Sequence, residues 1–238
     1  MKKFLLFLLI LYLLHRMSQK TLPPLEADIV ISPGGYRGLY TVGICNYVKN
    51  HFNTKNKTFA GFSSGSFNAL FMLIDPSLNN KYLNLVFNMK QGQVATLLDD
   101  VVQAILLHFK ESQFDLHRLH VGVSTVSGLE YFKEFLSLSD ALSCCRCSSF
   151  VPFVTSPELF MFYKSKLTLD GGVFYRDVKK KEMETLFIDP VMFGRYKPSR
   201  LAGLVTPTIS MYQMYLNGYH DARKNHSYFE RYFQDSSS

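Results

Sequence analysis

Twice in its first third the chain runs from a short apolar segment through a glycine turn into a segment of helical spacing, and that repetition restricts the fold more than any other feature. Asp28 to Ser32 reads as a buried strand. Pro33-Gly34-Gly35-Tyr36-Arg37-Gly38 follows, and from Leu39 to His51 the residues Val42, Cys45, Tyr47 and Val48 recur at helical intervals. Thr58-Phe59-Ala60 is a second brief strand, Gly61-Phe62-Ser63-Ser64-Gly65 a second turn, and helical spacing then runs from Gly65 to Ile74. A strand that feeds a helix returns to its sheet by a crossover, and crossovers make parallel neighbours. Farther on, Gly92 to Phe109 predicts an amphipathic helix, and Leu119 to Val126 and Leu167-Thr168-Leu169 predict strands. Leu201 to Tyr219 predicts a helix that Pro207 must kink or split. Together these predict an α/β fold, a three-layer sandwich with a mostly parallel central sheet and helices over both faces. In such sheets chemistry gathers at the carboxyl ends of the strands.

A chain of 238 residues fits one domain of this kind, and its 47% apolar content can fill the core. Only 19% of residues are charged, which excludes a disordered chain, and the apolar runs are too short for a polytopic membrane protein. Phe4 to Leu14 is nonetheless almost wholly apolar, between Met1-Lys2-Lys3 and His15-Arg16. It would rise about 16 Å as a helix, roughly half of a hydrocarbon core. Without a small-residue cleavage site after it, residues 1–20 read as a signal-anchor that associates the protein with a membrane, ahead of a removed signal. Residues 21–25, with Pro23 and Pro24, read as a linker, 26–225 as the folded domain and 226–238 as a polar tail.

The formal charge of +7 comes from dispersed Lys and Arg without interleaved aromatics, which argues against nucleic acid and for an anionic membrane surface. Lys179-Lys180-Lys181 is the one cluster, readable as a solvated turn or a membrane contact. Cys144, Cys145 and Cys147 have no second ligand cluster to pair with, only Cys45. They read as buried small apolar residues, so neither a metal nor an organic cofactor is expected.

Three motifs carry the candidate chemistry. Gly61-Phe62-Ser63-Ser64-Gly65, between a strand and a helix, has the form of a nucleophile elbow, with Ser63 lifted above the sheet and glycines where strand and helix must close. Pro33-Gly34-Gly35-Tyr36-Arg37-Gly38 allows two backbone N–H groups to point the same way, as an oxyanion hole requires. A phosphate-binding turn would use the same physics, but the G-G-x-x-G spacing is not that of a dinucleotide fingerprint. Asp170-Gly171-Gly172 sets a carboxylate at the end of a strand beside glycines that admit a close neighbour. A serine needs such a base, and partial burial would raise the carboxylate toward a useful basicity.

In this order the motifs resemble the patatin-like phospholipase family, whose members carry a glycine-rich oxyanion turn, a G-x-S-x-G elbow one helix later and a D-G-G or D-G-A motif downstream. Cys147-Ser148-Ser149-Phe150-Val151-Pro152-Phe153 is similar to the family's small-residue segment ending in a proline and an aromatic, and the resemblance spans residues 26–225. It implies the patatin-like variant of the α/β-hydrolase theme and a lipid acyl hydrolase, a phospholipase A-type enzyme or acylglycerol lipase. Cleavage would use a Ser–Asp dyad with Ser63 as nucleophile, Asp170 as base, and Gly34 and Gly35 as oxyanion donors. Arg37, Gly38, Gly61, Gly65, Gly171 and Gly172 complete the motifs. It implies a phospholipid or acylglycerol substrate and no cofactor. The chain departs from the pattern at Pro33, which has no N–H to donate, and at Val173-Phe174-Tyr175-Arg176-Asp177 after the aspartate motif. Those departures leave a second reading open, a patatin-fold lipid-binding membrane protein without catalysis.

Other residues invite the same roles. His220 and His226 are the only histidines after Asp170 and read as surface residues. Asp140, Asp177 and Asp189 are rival partners for Ser63, but none precedes paired glycines. Arg37, next to the oxyanion turn, is placed to meet a lipid phosphate.

Overall fold

The computed structural model describes residues 25–89, 94–175, 178, 185–198, 203 and 207–233. The expected membrane anchor at 1–20, linker residues 21–24, Asp177 and Lys179-Lys180-Lys181 lie outside the described residues. Among the described residues no helix is long and apolar enough to cross a membrane.

One sheet organises the chain, built from β1 (Ile29–Ile31), β2 (Phe59–Phe62), β3 (Leu119–Thr125), β4 (Gly128–Phe132), β5 (Met161–Tyr163), β6 (Lys166–Leu169) and β7 (Leu186–Ile188). Strands β7, β1, β2 and β3 run parallel, with Ile29 opposite both Leu186 and Phe59, and Phe59 opposite Leu119. Each pair is parallel because a helix intervenes: α1 (Gly38–His51) leads from β1 to β2. The helices α2 (Ser64–Met72), α3 (Asn79–Phe87) and α4 (Val94–His108) separate β2 from β3. At the far edge the pairing reverses. Strand β4 returns antiparallel along β3, β6 also pairs antiparallel with β3, and β5 pairs with β6. The remaining helices are α5 (Leu138–Ser148), α6 (Met211–Lys224) and α7 (His226–Phe233).

Alternation along each strand divides the core. Ile29, Ile31, Phe59, Val121, Val123 and Ile188 face the helices and merge with their buried faces. Val30, Ala60, Phe62 and Leu129 face the other way and are covered by Phe174 and Val178 of the chain after β6. The protein is thus α/β, with a central sheet flanked by helices in which, among the described residues, five of seven strands share a direction.

Several elements differ from the expected ones. Helix α6 starts at Met211, past Pro207, with the Ser210 side chain accepting the Gln213 N–H as its N-cap, while residues 201, 202 and 204–206 of the expected helix lie outside the described residues. The fold also continues past Asn225. Helix α7 occupies most of the segment expected as tail, and its Phe229 is fully buried against Tyr47, Phe52 and Phe193. Only one face of α7 is apolar, and the polar residues between hide it from a reading of composition. Cys144, Cys145 and Cys147 form much of the buried stripe of α5, as small apolar residues would.

Candidate active site

Ser63 sits at the junction of β2 and α2 with φ 53° and ψ −131°, a left-handed conformation that a residue with a Cβ adopts only under constraint. The constraint is the approach of helix to strand. A Cβ on Gly61 would fall 2.3 Å from the Gly65 carbonyl oxygen, and one on Gly65 would fall 2.4 Å from that of Ile31. With both positions bare, α2 drops onto the ends of β1 and β2, and Ser63 is the residue at the bend.

The partner arrives from the other direction. Asp170 ends β6, and its Oδ2 accepts the Ser63 Oγ hydrogen at 2.6 Å. The other oxygen, Oδ1, accepts the Gly172 N–H at 2.7 Å, which fixes the carboxylate plane. Two further bonds hold this turn: Asp170 N–H to the Phe150 carbonyl at 2.8 Å, and Gly171 N–H to that of Ser148 at 2.7 Å. Desolvation pushes the Asp170 carboxyl up to about 6, against the opposing pull of its bonds from Ser63 and Gly172. Among the described residues no cation offsets that desolvation.

Ser148, at the end of α5, joins the two halves. Its Oγ accepts the Ser63 N–H at 2.8 Å and donates to the Gly122 carbonyl at 2.7 Å. It is fully buried. The sequence marked it only as part of a small-residue segment. Its place beneath the elbow depends on α5 docking against β3, which no local pattern encodes.

The first glycine turn lies beside the elbow. Gly35 has φ +54°, and its missing Cβ leaves space for Gly203, whose carbonyl oxygen would be 2.2 Å from such an atom. Gly34 differs from expectation in one respect: its N–H already donates to Ser64 Oγ at 3.1 Å. Among the described residues the Gly35 N–H has no partner within the protein, and Gly35 lines the same cleft as Ser63. Gly38 caps this turn with its N–H and packs against the Ser64 side chain, and its carbonyl accepts from Asn68 Nδ2 at 2.9 Å. Arg37 points elsewhere. Its Nη1 donates to the Lys197 carbonyl at 3.0 Å, and the guanidinium lies over the Tyr196 ring at 5.0 Å. It does not line the cleft.

The cleft above the dyad encloses about 860 Å³, its open mouth included. Leu39, Val42, Phe67, Leu83, Val86, Leu97 and Val101 make its walls apolar, and Ser63, Ser64, Asn68, Ser149, Thr155 and Asp170 supply its polar points. Helix α3, which no sequence pattern announced, provides one wall. Among the described residues no histidine lines the cleft. His220 is exposed on α6, and His226 bonds through Nδ1 to the Tyr47 hydroxyl at 2.8 Å. The rival carboxylates are occupied elsewhere, Asp140 by the Tyr163 hydroxyl at 2.8 Å and Asp189 by Ser32 Oγ at 2.9 Å. Among the described residues no group of His, Cys, Asp or Glu is arranged to hold a metal ion.

The site is therefore a strained serine bonded to a basic carboxylate, beside a glycine turn, at the base of an apolar cleft. Compared with models of protein families and with curated proteins, the chain matches none.

Proposed function

We propose that this chain is a serine lipid acyl hydrolase with the patatin-like three-layer fold, cleaving carboxylic esters of phospholipids or acylglycerols through a Ser63–Asp170 dyad. The observation that carries the proposal is the 2.6 Å bond between Ser63 Oγ and Asp170 Oδ2 at the floor of an apolar cleft.

In this reading Ser63 Oγ attacks the ester carbonyl as Asp170 takes its proton. The carbonyl oxygen becomes an oxyanion beside the Gly34–Gly35 turn. The C–O bond to the alcohol then breaks, and the leaving oxygen takes the proton back from Asp170. Water repeats the sequence on the acyl-enzyme and frees the fatty acid. A carboxyl near 6 suits this exchange at neutral pH, because it is mostly ionised yet basic enough to share the serine proton. The apolar walls suit an acyl chain, and no step calls on a cofactor. Association with the membrane through residues 1–20 would bring the cleft to an insoluble substrate.

A fluorophosphonate probe tests the assignment. Labelling of the wild type at Ser63, lost in Ser63→Ala and strongly slowed in Asp170→Asn, is the expected result. An unlabelled wild type overturns it. The engaged Gly34 N–H favours one alternative, a lipid-binding protein of the same fold without turnover. Such a protein would bind fatty acid in the cleft yet leave the probe unreacted.

A further inference from the structure

Ser64, the residue after the nucleophile, occupies the place where the glycine turn meets the elbow. Its Oγ accepts the Gly34 N–H at 3.1 Å, and a Cβ added to Gly38 would fall 2.7 Å from that oxygen, so the hydroxyl fits between the two glycines. Ser64 lines the cleft together with Ser63, Gly35 and Asp170. Among the described residues its hydroxyl hydrogen has no acceptor, whereas Ser66, two residues along, spends its own on the Ser63 carbonyl at 2.6 Å. A hydroxyl that accepts through a lone pair still has its proton to donate, and the incoming backbone N–H polarises it for donation.

We infer that Ser64 is a catalytic residue: its hydroxyl, held by the Gly34 N–H, is the side-chain donor of the oxyanion hole and acts with the Gly35 N–H. The inference rests on the hydrolase reading. As Ser63 Oγ bonds to the carbonyl carbon and Asp170 takes the proton, the carbonyl electron pair moves onto oxygen, and Ser64 donates a hydrogen bond to it without giving up its proton. Gly34 then acts through Ser64, which accounts for its N–H being engaged before any substrate arrives.

The test compares wild type, Ser64→Ala and Ser64→Thr in the full-length protein with a soluble ester, an alkyl trifluoromethyl ketone and a free fatty acid. The ketone forms a tetrahedral oxyanion on Ser63, while the fatty acid only fills the cleft. Removing one oxyanion donor lowers kcat by about 10²–10³-fold. Ser64→Ala is expected to show that loss with little change in KM. Its affinity for the ketone should fall in parallel and its affinity for the fatty acid stay within about twofold. Ser64→Thr keeps the hydroxyl and should retain most of the rate, so a thermal midpoint near wild type in both variants separates chemistry from folding. The inference is overturned if Ser64→Ala retains or exceeds the wild-type kcat, since Gly34 would then be the donor once unblocked. Equal weakening of ketone and fatty acid overturns it as well. A wild type that neither hydrolyses the ester nor reacts with the ketone brings down the hydrolase reading itself, a result distinct from an active wild type matched by Ser64→Ala.

Discussion

Ser63 and Asp170 meet at the level of one residue, Val123. Strand β2 runs up one edge of β3 and ends with Phe62 opposite Gly122, so the next position, 63, falls beside 123. Strand β6 runs down with Leu169 opposite Ser124, so position 170 falls beside 123 as well. Strand β4 takes the other edge of β3 over Val121–Thr125, so β2 and β6 share a single edge and approach each other end to end. The proposed nucleophile and its proposed base are the two residues at that gap, which is how a separation of 107 positions closes to 2.6 Å.

The base sets the pH dependence of the proposed reaction. Only the ionised Asp170 can take the serine proton, and its carboxyl lies at about 6. The expected profile of kcat/KM is flat at neutral pH, half-maximal near pH 6 and falling about tenfold per pH unit below that. Stopped assays with a soluble ester between pH 4.5 and 8 check it, and a midpoint near 4 would contradict the desolvated environment.

Stability carries the opposite signature. Because folding raises the Asp170 pKa, the folded state gains protons relative to the unfolded chain. The favourable contribution is complete below the unfolded value near 4 and is lost as pH rises through about 6. Asp170→Asn removes this burden while retaining an oxygen for the Gly172 N–H. Its stability relative to wild type should therefore increase between pH 5 and pH 8 by about 1–3 kcal/mol, measured by urea unfolding at each pH. A difference that does not vary with pH would refute the prediction.

Ser148 supports the elbow from below. Ser148→Ala leaves the Ser63 N–H without its acceptor and the Gly122 carbonyl without its donor, both in a buried setting. The expected cost is about 1–3 kcal/mol in unfolding free energy. Activity should also fall by more than the unfolded fraction explains, because the strained backbone at Ser63 loses a restraint. Chemical denaturation and activity measured on the same preparation separate the two effects.

The wall of the cleft should select acyl length. Val86 on α3 lines the cleft and is only partly buried, so Val86→Phe can project its ring into the space without disrupting the main core. Hydrolysis of a palmitoyl ester is expected to fall by about tenfold or more relative to a butyryl ester, a loss of a size that one hydrophobic contact can produce. An unchanged ratio would place the acyl chain elsewhere.

Much of this site was legible before any coordinates. The Gly61–Gly65 pentad follows β2 and opens α2, Gly34 and Gly35 follow β1, and Asp170 follows β6, each at the strand end where the sequence reading set it. These positions are local: a turn that needs glycine and a strand that needs apolar residues both declare themselves within a few residues. What remained hidden is non-local. Strands β5 and β7 have three residues each and lack the glycine turn that marks the equally short β1, and three of the seven buried residues of α5 are cysteines. Ser148 owes its place to helix docking, and the Ser64 hydroxyl meets the Gly34 N–H because two turns from different strands close on each other. The amino-acid sequence by itself determined which residues can bend, bury or carry reactive groups. Only the tertiary structure decided which of them touch, because contact between distant positions is set by strand register and helix packing.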